Sequence, residues 1–473
     1  MRRGRSAIWV LLFLMAVPLA AGAQEVEATS EEQKDEGLLD KYVNYWDKIL
    51  ERVMDMDLYG GSAQLPKGIF KFKVDYNMRR AVGRFDNHRV RTDMIPPIEF
   101  GEPDDPLLAI SLGASGEGGG VTMQFSYGIT DALDFYFELP FQYMSVQMRP
   151  KVVAMNPLAV AMINSNIRQH APPGYPEIDP NWFDGSRVRE RFKNEAAAWF
   201  LRYLPRLGRP SMGNPDDYPP DLGPGKSFIT DGLVLADINT GFSWNYYRDK
   251  RISAALCARV FFPTGRTADP MNSLMLATGP GLDQGTGSFG MGFTQWYDVR
   301  VFQYKHWVDI ILGVELTLSY HFKSNRRYPD FPAPTEDGNA LLDTLDAERN
   351  YFPDMADLTG GTFEYTPGLG ASALLQIGIS SLIFDVGLGL GYSYAQEPEF
   401  NADWRFETMV RGLEMAAAGH YEVLRFAAGF NLVPFYIPLS IHYQYEKNIG
   451  GRNTLIFDRN HWITVEGFLP TVF

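Results

Sequence analysis

The most regular feature of the chain is an alternation of apolar and polar residues. In the stretch WVDIILGVELTLSYHF (307–322), every even position is apolar or aromatic, whereas Asp309, Glu315 and His321 occupy odd positions. Because successive side chains of a β-strand point to opposite faces, a period of two predicts a strand with one apolar and one polar face. A soluble sandwich and a membrane barrel both contain such strands, so one stretch alone does not decide between them.

The alternation recurs often enough to predict about twelve strands. Clear examples are GIFKFKVDYNMRR (68–80), VTMQFSYGITDALDFYFELPFQY (121–143), ADINTGFSWNYYRDKRISAALCARVFF (236–262) and FYIPLSIHYQYE (435–446). Two weaker candidates, near 405–430 and 455–469, complete the set, and the first of them is irregular enough to suggest a bulge. An even number of strands is typical of bacterial single-chain barrels.

The connections between these strands alternate in length. Short turns are predicted near residues 130, 249, 304 and 380, and a weaker candidate lies near 433. Long polar or Gly/Pro-rich connections are predicted at 86–106, 149–227, 265–286, 324–361 and 396–404. Tight periplasmic turns and extended external loops are typical of outer-membrane barrels, whereas a soluble sandwich has no reason to sort its loops by length.

The predicted fold class is therefore all-β, a transmembrane antiparallel up-and-down β-barrel of about twelve strands. Unsatisfied backbone groups in hydrocarbon are so costly that only helices and closed barrels cross a bilayer. The apolar row of 307–322 would then face lipid, and its two carboxylates and histidine would face the lumen, where charge is tolerated.

The first 23 residues have the organisation of a secretory signal peptide. A basic start with three arginines precedes an apolar run at 7–17, and small residues predict cleavage after Ala23. An uncleaved anchor is the alternative, although the apolar run is short for a membrane span. The rest of the chain contains no other apolar run long enough for a membrane helix, and Cys257, its single cysteine, cannot form an internal disulfide.

The chain divides into a signal peptide (1–23), an acidic segment with an amphipathic helix (24–65) and the barrel (66–473). The helix is predicted at 36–56, and it either packs on the periplasmic side or enters the barrel as a plug. Within the barrel segment, the insertion 149–227 is too long to be structureless in a compact fold. Its residues 186–204 predict a helix that either covers the barrel mouth as a lid or packs on neighbouring loops.

The charge of the chain excludes one class of partner. With 57 acidic and 43 basic residues, the formal net charge is −14, and loss of the three signal-peptide arginines gives −17 (−14 − 3). An acidic chain argues against nucleic acid as a partner. The 14% of aromatic residues is no evidence for an aromatic substrate, because barrels need aromatic belts at the membrane interfaces.

The predicted lumen-facing positions carry both signs of charge. These side chains either form a network that stiffens a narrow barrel or orient a passing solute, and both roles can coexist. A ring of a single sign would have indicated ion selectivity. The candidate lumen-lining residues are Lys71, Lys73, Asp75, Arg79, Asp134, Glu138, Asp237, Arg259, Asp298, Arg300, Asp309, Glu315, His321, Glu364 and His442.

Signals for catalysis or cofactor binding are weak. GTGSFG (285–290) matches a dinucleotide-binding pattern, but it leads into a strand rather than into a helix that could receive a pyrophosphate. The H-E-x-x-H, G-x-S-x-G and Walker motifs are missing from the sequence. His321 and His442 are interpreted as hydrogen-bonded wall residues, and no catalytic residue, metal or cofactor is predicted.

Several short motifs resemble one family of outer-membrane proteins. YGITDALDF (127–135), GLVLADINTGF (232–242), ARVFFPTGR (258–266), GTGSFGMGFTQW (285–296) and FYIPLSIHYQYE (435–446) are similar to motifs of the family described as "putative MetA-pathway of phenol degradation". The resemblance touches pieces spread over 65–470, and the insertion 149–227 and the N-terminal helix depart from it. It implies a barrel associated with uptake of aromatic or other hydrophobic compounds, and it carries over no substrate residues.

The leading hypothesis is a porin-like channel or transporter in the outer membrane of a Gram-negative cell. It would allow passive uptake of small solutes, with aromatic or hydrophobic compounds as the class that the resemblance implies. Its predicted partners are outer-membrane lipids and the solute. The alternatives are a non-conducting surface or structural protein and, less favoured, a hydrolase embedded in the barrel.

Overall fold

The structure is a computed structural model, and the parts of the chain that it describes fall into several ranges. They are 61–94, 98–102, 105–111, 113, 115–147, 151–170, 174, 176–185, 187–193, 195–196, 199, 227–265, 285–304, 308–328, 357–358, 360–407, 418–435 and 437–470. The predicted signal peptide and the predicted helix at 36–56 lie outside the described residues. Within the described ranges, no helix has the length and apolar character needed to cross a bilayer.

Twelve strands form the wall of the barrel, as the alternation predicts. They are β1 (Ile69–Phe85), β2 (Ser115–Thr130), β3 (Leu133–Gln147), β4 (Ile238–Arg248), β5 (Ile252–Phe262), β6 (Gly290–Tyr304), β7 (Val308–His321), β8 (Gly368–Ser381), β9 (Phe384–Ala395), β10 (Gly419–Asn431), β11 (Leu439–Arg452) and β12 (Thr454–Pro470).

Each strand pairs antiparallel with its predecessor, and the last strand pairs with the first. The register of that closing pair runs from Ile69 opposite Pro470 to Phe85 opposite Thr454. The sheet is therefore a closed twelve-stranded antiparallel barrel, which confirms the predicted fold class. The irregular strand near 405–430 is β10, and its pairing with β11 shifts register between Glu422 and Val423, as a bulge does.

The connections confirm the predicted alternation, with one exception. Between β2 and β3 and between β8 and β9 only two residues intervene, and the turn after β4 is closed by Asp249. Hydrogen bonds from the backbone N–H groups of Arg251 and Ile252 lower the pKa of the Asp249 carboxyl. At the opposite end, where the other connections are long, Asn453 alone joins β11 to β12 with a φ of 48°, a left-handed conformation that asparagine tolerates better than most residues.

The external connections contain ordered structure of their own. A five-stranded sheet is formed by Ile98–Glu102, Asp105–Ser111, Lys151–Met155, Arg187–Val188 and Phe183–Asp184. It is accompanied by helix α1 (Pro157–His170) and the 3-10 turns Pro180–Trp182 and Glu190–Phe192. The strand Ser227–Leu235 pairs antiparallel with the end of β3, and Arg91–Thr92 pairs antiparallel with the end of β1. The 3-10 turn Val433–Phe435 lies between β10 and β11.

The insertion 149–227 is only partly what the sequence predicts. Helix α1 was not expected, and the segment 186–204 opens with a strand and a 3-10 turn before residues 193, 195, 196 and 199 become helical. A second external sheet, formed by Ser324–Arg327, Thr362–Thr366 and Glu399–Asn401, packs around an aromatic cluster. The members of that cluster are Tyr328, Phe363, Tyr365, Phe400 and Phe406.

The barrel exposes its apolar rows on the outer face. On β7, Leu316, Leu318 and Tyr320 are 43%, 51% and 42% exposed, whereas Ile311 and Gly313 on the other face are buried. Large apolar side chains that are exposed to this degree in a row are costly in water, but they match the hydrocarbon of a bilayer. The outer surface is therefore that of a membrane-spanning barrel.

Replacing one lipid-facing residue by a charge tests this orientation. Leu316→Arg should lower the free energy of unfolding by about 2–4 kcal/mol, because it brings a guanidinium to the hydrocarbon near the middle of β7. Denaturant titration of the protein in lipid vesicles measures the effect. Glu315→Arg is the matched control, since its side chain stays inside the barrel. Equal destabilisation by the two variants would contradict the assigned faces.

Candidate functional site

The candidate functional site is the barrel interior, where the polar faces of the strands meet. Every second residue of a strand points inward, so the interior is lined by residues far apart in the sequence. On β7 the inner face carries Asp309, Glu315 and His321, opposite the exposed apolar row. On β6, Asp298 and Arg300 are buried on the inner face.

One side of the interior, formed by β1 and β10–β12 together with Asp385 of β9, carries charged side chains in pairs. We call it the charged wall. Lys73 Nζ lies 3.0 Å from Asp75 Oδ2, and Lys71 Nζ lies 3.7 Å from Glu466 Oε1. Because each lysine lies beside a carboxylate, neither sign dominates this surface.

The closest charged pair of this wall is made by Arg425 and Glu446. The Arg425 Nε donates to Glu446 Oε1 at 2.8 Å, and Nη2 lies 2.7 Å from the same oxygen. Asn460 donates to the second carboxylate oxygen at 3.2 Å. The Glu446 side chain is only 10% exposed, so removing the arginine would leave a largely buried charge without its partner.

His442 connects the charged wall to β9. Its Nδ1 lies 3.5 Å from Asp385 Oδ1, and its Nε2 lies 3.1 Å from Ser440 Oγ. Gly429 lies on β10, the strand between β9 and β11. A Cβ atom at that position would collide with both the His442 imidazole and the Asp385 carboxylate. The missing side chain of Gly429 therefore allows a contact between strands that are not neighbours.

His442 lies between Ser440 and Asp385, so the three side chains are connected in the serine–histidine–aspartate order of a hydrolase triad. Their surroundings, however, favour a hydrogen-bonded network of the wall over catalysis. The Ser440 hydroxyl donates to Glu466 Oε2 at 3.3 Å, and this carboxylate would oppose the negative charge that develops during acyl transfer. An oxyanion hole also needs N–H groups that are free to donate. In the paired strands β11 and β12 those groups form the ladder between strands.

Next to the charged wall, the inner surface of β8 and β9 has few side chains. Gly378 of β8 and Gly387 of β9 are paired directly, and a Cβ built on either residue would approach only backbone atoms, 3.5–4.0 Å away. Gly389 and Gly391 continue this surface beside Leu374, an inward side chain that is 6% exposed. We call this surface the glycine face.

A third feature occupies the end of the barrel with the short turns. Residues 61–66, which we call the lumen segment, run inside the wall before β1 begins. The Ser62 N–H donates to Asp298 Oδ2 at 2.7 Å, and the Leu65 N–H donates to Asp134 Oδ2 at 3.3 Å. Asn245 Nδ2 donates to the Ser62 carbonyl at 2.9 Å. Three wall strands therefore hold this backbone through hydrogen bonds.

Burial supports the same placement of the lumen segment. Ser62 is fully buried, Leu65 is 7% exposed, and Gly61 packs so closely on the Trp296 ring that a Cβ would displace it. Further along the chain, the Lys67 N–H donates to Asp131 in the turn after β2 at 2.9 Å. The chain thus enters the barrel at the rim and reaches its deepest described point near Trp296. The predicted plug helix lies outside the described residues, and this segment narrows the same end.

Several other predicted lumen residues also form local pairs. Arg300 Nε lies 3.4 Å from Asp309 Oδ1 near the short-turn end. Glu138 accepts a hydrogen bond from Asn239, and Arg259 donates to Thr294. The His321 ring packs against Phe261 with 5.1 Å between ring centroids.

Asp237 plays a different part from the one expected of a wall residue. It lies between the external strand Ser227–Leu235 and β4, and it accepts hydrogen bonds from the Gly265 N–H at 2.9 Å and the Thr286 N–H at 2.6 Å. These contacts join the two ends of the connection between β5 and β6. Asp237 thus fixes the base of an external loop.

The prediction for Glu364 is wrong. The alternation around it suggested a wall strand that continues into β8, but the strand Thr362–Thr366 belongs to the second external sheet. Glu364 accepts a hydrogen bond from Lys323 at 2.7 Å and another from Asn401 at 2.9 Å, and these contacts lower the pKa of its carboxyl. Gly368, with a φ of 86°, separates this strand from the wall.

Some interior residues were missed by the sequence analysis. Arg425 lies in the strand that the alternation predicts only weakly, and Glu446 and Asp385 lie on strands with a clear alternation. Their alternation with outward residues such as Phe426 and Tyr445 was the available signal. The alternation places Asn245 on the inner face of β4, but nothing in the sequence indicates that it binds a distant backbone carbonyl.

The described residues offer no metal site. Within the described ranges, no group of three or more His, Cys, Asp or Glu side chains could hold a metal ion. The carboxylates of the interior instead bind cations, amides or backbone N–H groups.

Comparison with known proteins gives only distant likenesses. No protein-family model matches the chain, and no curated protein matches it. Among solved structures, the chain is similar to an outer-membrane channel from Pseudomonas putida F1, with 10% identity, 87% of this chain and 99% of that chain covered, and a TM-score of 0.43.

Two further solved structures show the same kind of likeness. The β domain of the Bordetella autotransporter BrkA has 9% identity, 85% and 100% coverage and a TM-score of 0.33. The Ralstonia pickettii toluene transporter TbuX has 9% identity, 85% and 90% coverage and a TM-score of 0.28. At these scores the likeness carries no functional inference, so the barrel is defined by the strand pairing of this chain itself.

Removing the carboxylates that hold the lumen segment should loosen it. In the double variant Asp298→Ala and Asp134→Ala, the amides of Ser62 and Leu65 should exchange hydrogen about 10- to 100-fold faster, because each loses a hydrogen bond to a charged acceptor. Hydrogen-exchange mass spectrometry of the folded barrel measures this.

Asp86→Ala serves as the control for this prediction. Asp86 also accepts hydrogen bonds from backbone amides, those of His88 and Val90, but it does so at the opposite end of the barrel. Its loss should leave exchange in residues 61–66 unchanged. Unaltered exchange in the double variant would show that the two carboxylates do not hold the segment.

Proposed function

We propose that this protein is an outer-membrane channel for passive uptake of small solutes. The observation that carries the proposal is a closed barrel with an apolar outer face and a polar, largely charge-paired inner face. Such a cylinder can lie in a bilayer and offer a polar route through it. The predicted signal peptide supports export to the outer membrane.

The interior favours selection by width and polarity over selection by ionic charge. Lys71, Lys73 and Arg425 of the charged wall lie beside carboxylates, so these side chains do not form a ring of one sign that would favour cations or anions. The glycine face adjoins this wall and adds an apolar side chain, Leu374, to a surface made mainly of backbone. A solute with both polar and apolar parts fits across these two adjoining surfaces.

The proposed solutes include aromatic and other hydrophobic compounds. This solute class is a prediction that rests on the resemblance of the strand and turn motifs to the phenol-degradation family. The two unlike sides of the interior support it, because a flat apolar molecule can lie on the glycine face while its polar group meets the charged wall. The lumen segment is the proposed constriction on the way to the periplasm.

A non-conducting surface protein is the second candidate. The observation that favours it is the lumen segment, because its buried backbone fills part of the short-turn end. The external sheets and helix α1 also provide ordered surface that a partner could bind.

Single-channel recording separates the two candidates. Full-length protein inserted into planar bilayers should give ohmic current steps if it is a channel, with uptake of labelled aromatic compounds lost in a deletion strain. Silent insertion, confirmed by the amount of folded protein in the bilayer, together with equal uptake in the two strains would favour the surface role.

Filling the glycine face should narrow the passage. Gly387→Phe places a ring over the open surface beside Gly378 and should lower the single-channel conductance at least about twofold. The matched control is Val386→Phe, the adjacent residue on the outer face of β9, where 41% of the side chain is exposed. Equal conductance in the two variants would show that solutes and ions do not pass this surface.

A further inference from the structure

Two consecutive arginines of β1 have opposite surroundings. Arg79 shares the inner face with Lys71, Lys73 and Asp75, because these positions differ by even numbers along the strand. Arg80 points the other way and lies 3.9 Å from both Glu117 and Asp458. The outer arginine is therefore paired, and it provides a comparison for the inner one.

Arg79 has no carboxylate at ion-pair distance among the described residues. Its guanidinium lies over the Phe457 ring, 5.8 Å from the ring centroid. Tyr421 is its only described electrostatic neighbour. Lys71, Lys73 and Arg425 share the interior with Arg79, but each of them has an acidic partner. Arg79 therefore presents a positive charge that the wall does not neutralise.

The position of Arg79 leaves its donors free for a ligand. Its side chain is exposed within the barrel, and none of its N–H groups has a hydrogen-bond partner among the described residues. Stacking on an aromatic ring occupies the flat face of a guanidinium and keeps its edge open. That edge matches the two oxygens of a carboxylate, which it binds through parallel charge-assisted hydrogen bonds.

Apolar residues adjoin this charge on the side towards the external loops. Ala81, the next inward residue of β1, is 5% exposed, and Met94 of the following connection is 3% exposed. A Cβ built on Gly116 of β2 would lie 3.6 Å from Met94 Sδ and 3.8 Å from Ala81 Cβ. Ala81 and Met94 are therefore packed within the wall, and the Phe457 ring is the apolar surface that lies next to the unpaired cation.

We propose that Arg79 binds small monocarboxylates with an aromatic or apolar body as they enter the barrel. The carboxylate meets the guanidinium edge, and the body lies against the Phe457 ring. This inference rests on the proposed channel function and narrows it to one class of solute. Elsewhere the interior carries many carboxylates, which repel an anion. The electrostatic attraction of an anion is therefore strongest at Arg79, near the end of β1 that adjoins the external loops.

Binding in detergent tests the site without requiring conduction. Calorimetric titration of the purified full-length barrel compares benzoate with benzyl alcohol, which has the same ring and no charge. Wild type should bind benzoate at least about tenfold more tightly than the alcohol, and Arg79→Gln should weaken benzoate binding by about 10- to 100-fold. Arg79→Lys should retain part of the affinity, because it keeps the charge and loses the fork of donors.

Arg80→Gln is the matched control and should leave benzoate binding unchanged. Equal loss in the Arg79→Gln and Arg80→Gln variants, or equal binding of benzoate and benzyl alcohol by wild type, would overturn the proposal. Folding of each variant is checked by its mobility before and after heating in detergent. If Arg79→Gln does not fold, the proposal is tested by the ratio of the benzoate affinity to the benzyl alcohol affinity in Arg79→Lys.

Bilayer recording then separates this inference from the channel proposal. If wild type conducts, benzoate added on the external side should reduce its current, and this reduction should be lost in Arg79→Gln and kept in Arg80→Gln. Absence of any conductance would count against the channel, whereas the titration would still decide whether Arg79 binds carboxylates.

Discussion

The rest of the structure depends on backbone hydrogen bonding in a solvent without water. A strand that leaves N–H and C=O groups unpaired in hydrocarbon loses several kcal/mol for each group, so the sheet has to close. The pairing of β1 with β12, from Ile69 opposite Pro470 to Phe85 opposite Thr454, supplies this closure. Once the sheet is closed, the pleat alone decides which side chains meet lipid and which meet the interior.

A narrow closed interior then constrains the residues that line it. Charged side chains are acceptable where each lies beside an opposite charge or a polar donor, as Arg425 and Glu446 do. Side chains of two strands that flank a third can touch only where the third strand carries a small residue. Gly429 of β10 is that residue for the contact between His442 and Asp385. Paired side chains on β1 and β10–β12 and glycines on the adjoining β8 and β9 give the interior two unlike surfaces.

The features that could be predicted from sequence are those set by local alternation. Leu316 points outward because of the pleat, and that holds whichever strands are its neighbours. Glu364 was misplaced because its strand alternates like a wall strand; its sheet is decided by non-local pairing and by the left-handed turn at Gly368. The contact between Ser62 and Asp298 could not be predicted at all, since a backbone N–H carries no sequence signal.

The carboxylates at the short-turn end of the interior have a structural role. Asp134 and Asp298 do not neutralise cations; they bind the backbone of the lumen segment near the short-turn end. Arg79, towards the other end of the wall, lacks an acidic partner among the described residues. The two carboxylates that hold the lumen segment and the unpaired Arg79 thus lie towards opposite ends of the wall. In the proposed channel, an anion that enters near Arg79 would meet this attracting charge before it meets those carboxylates.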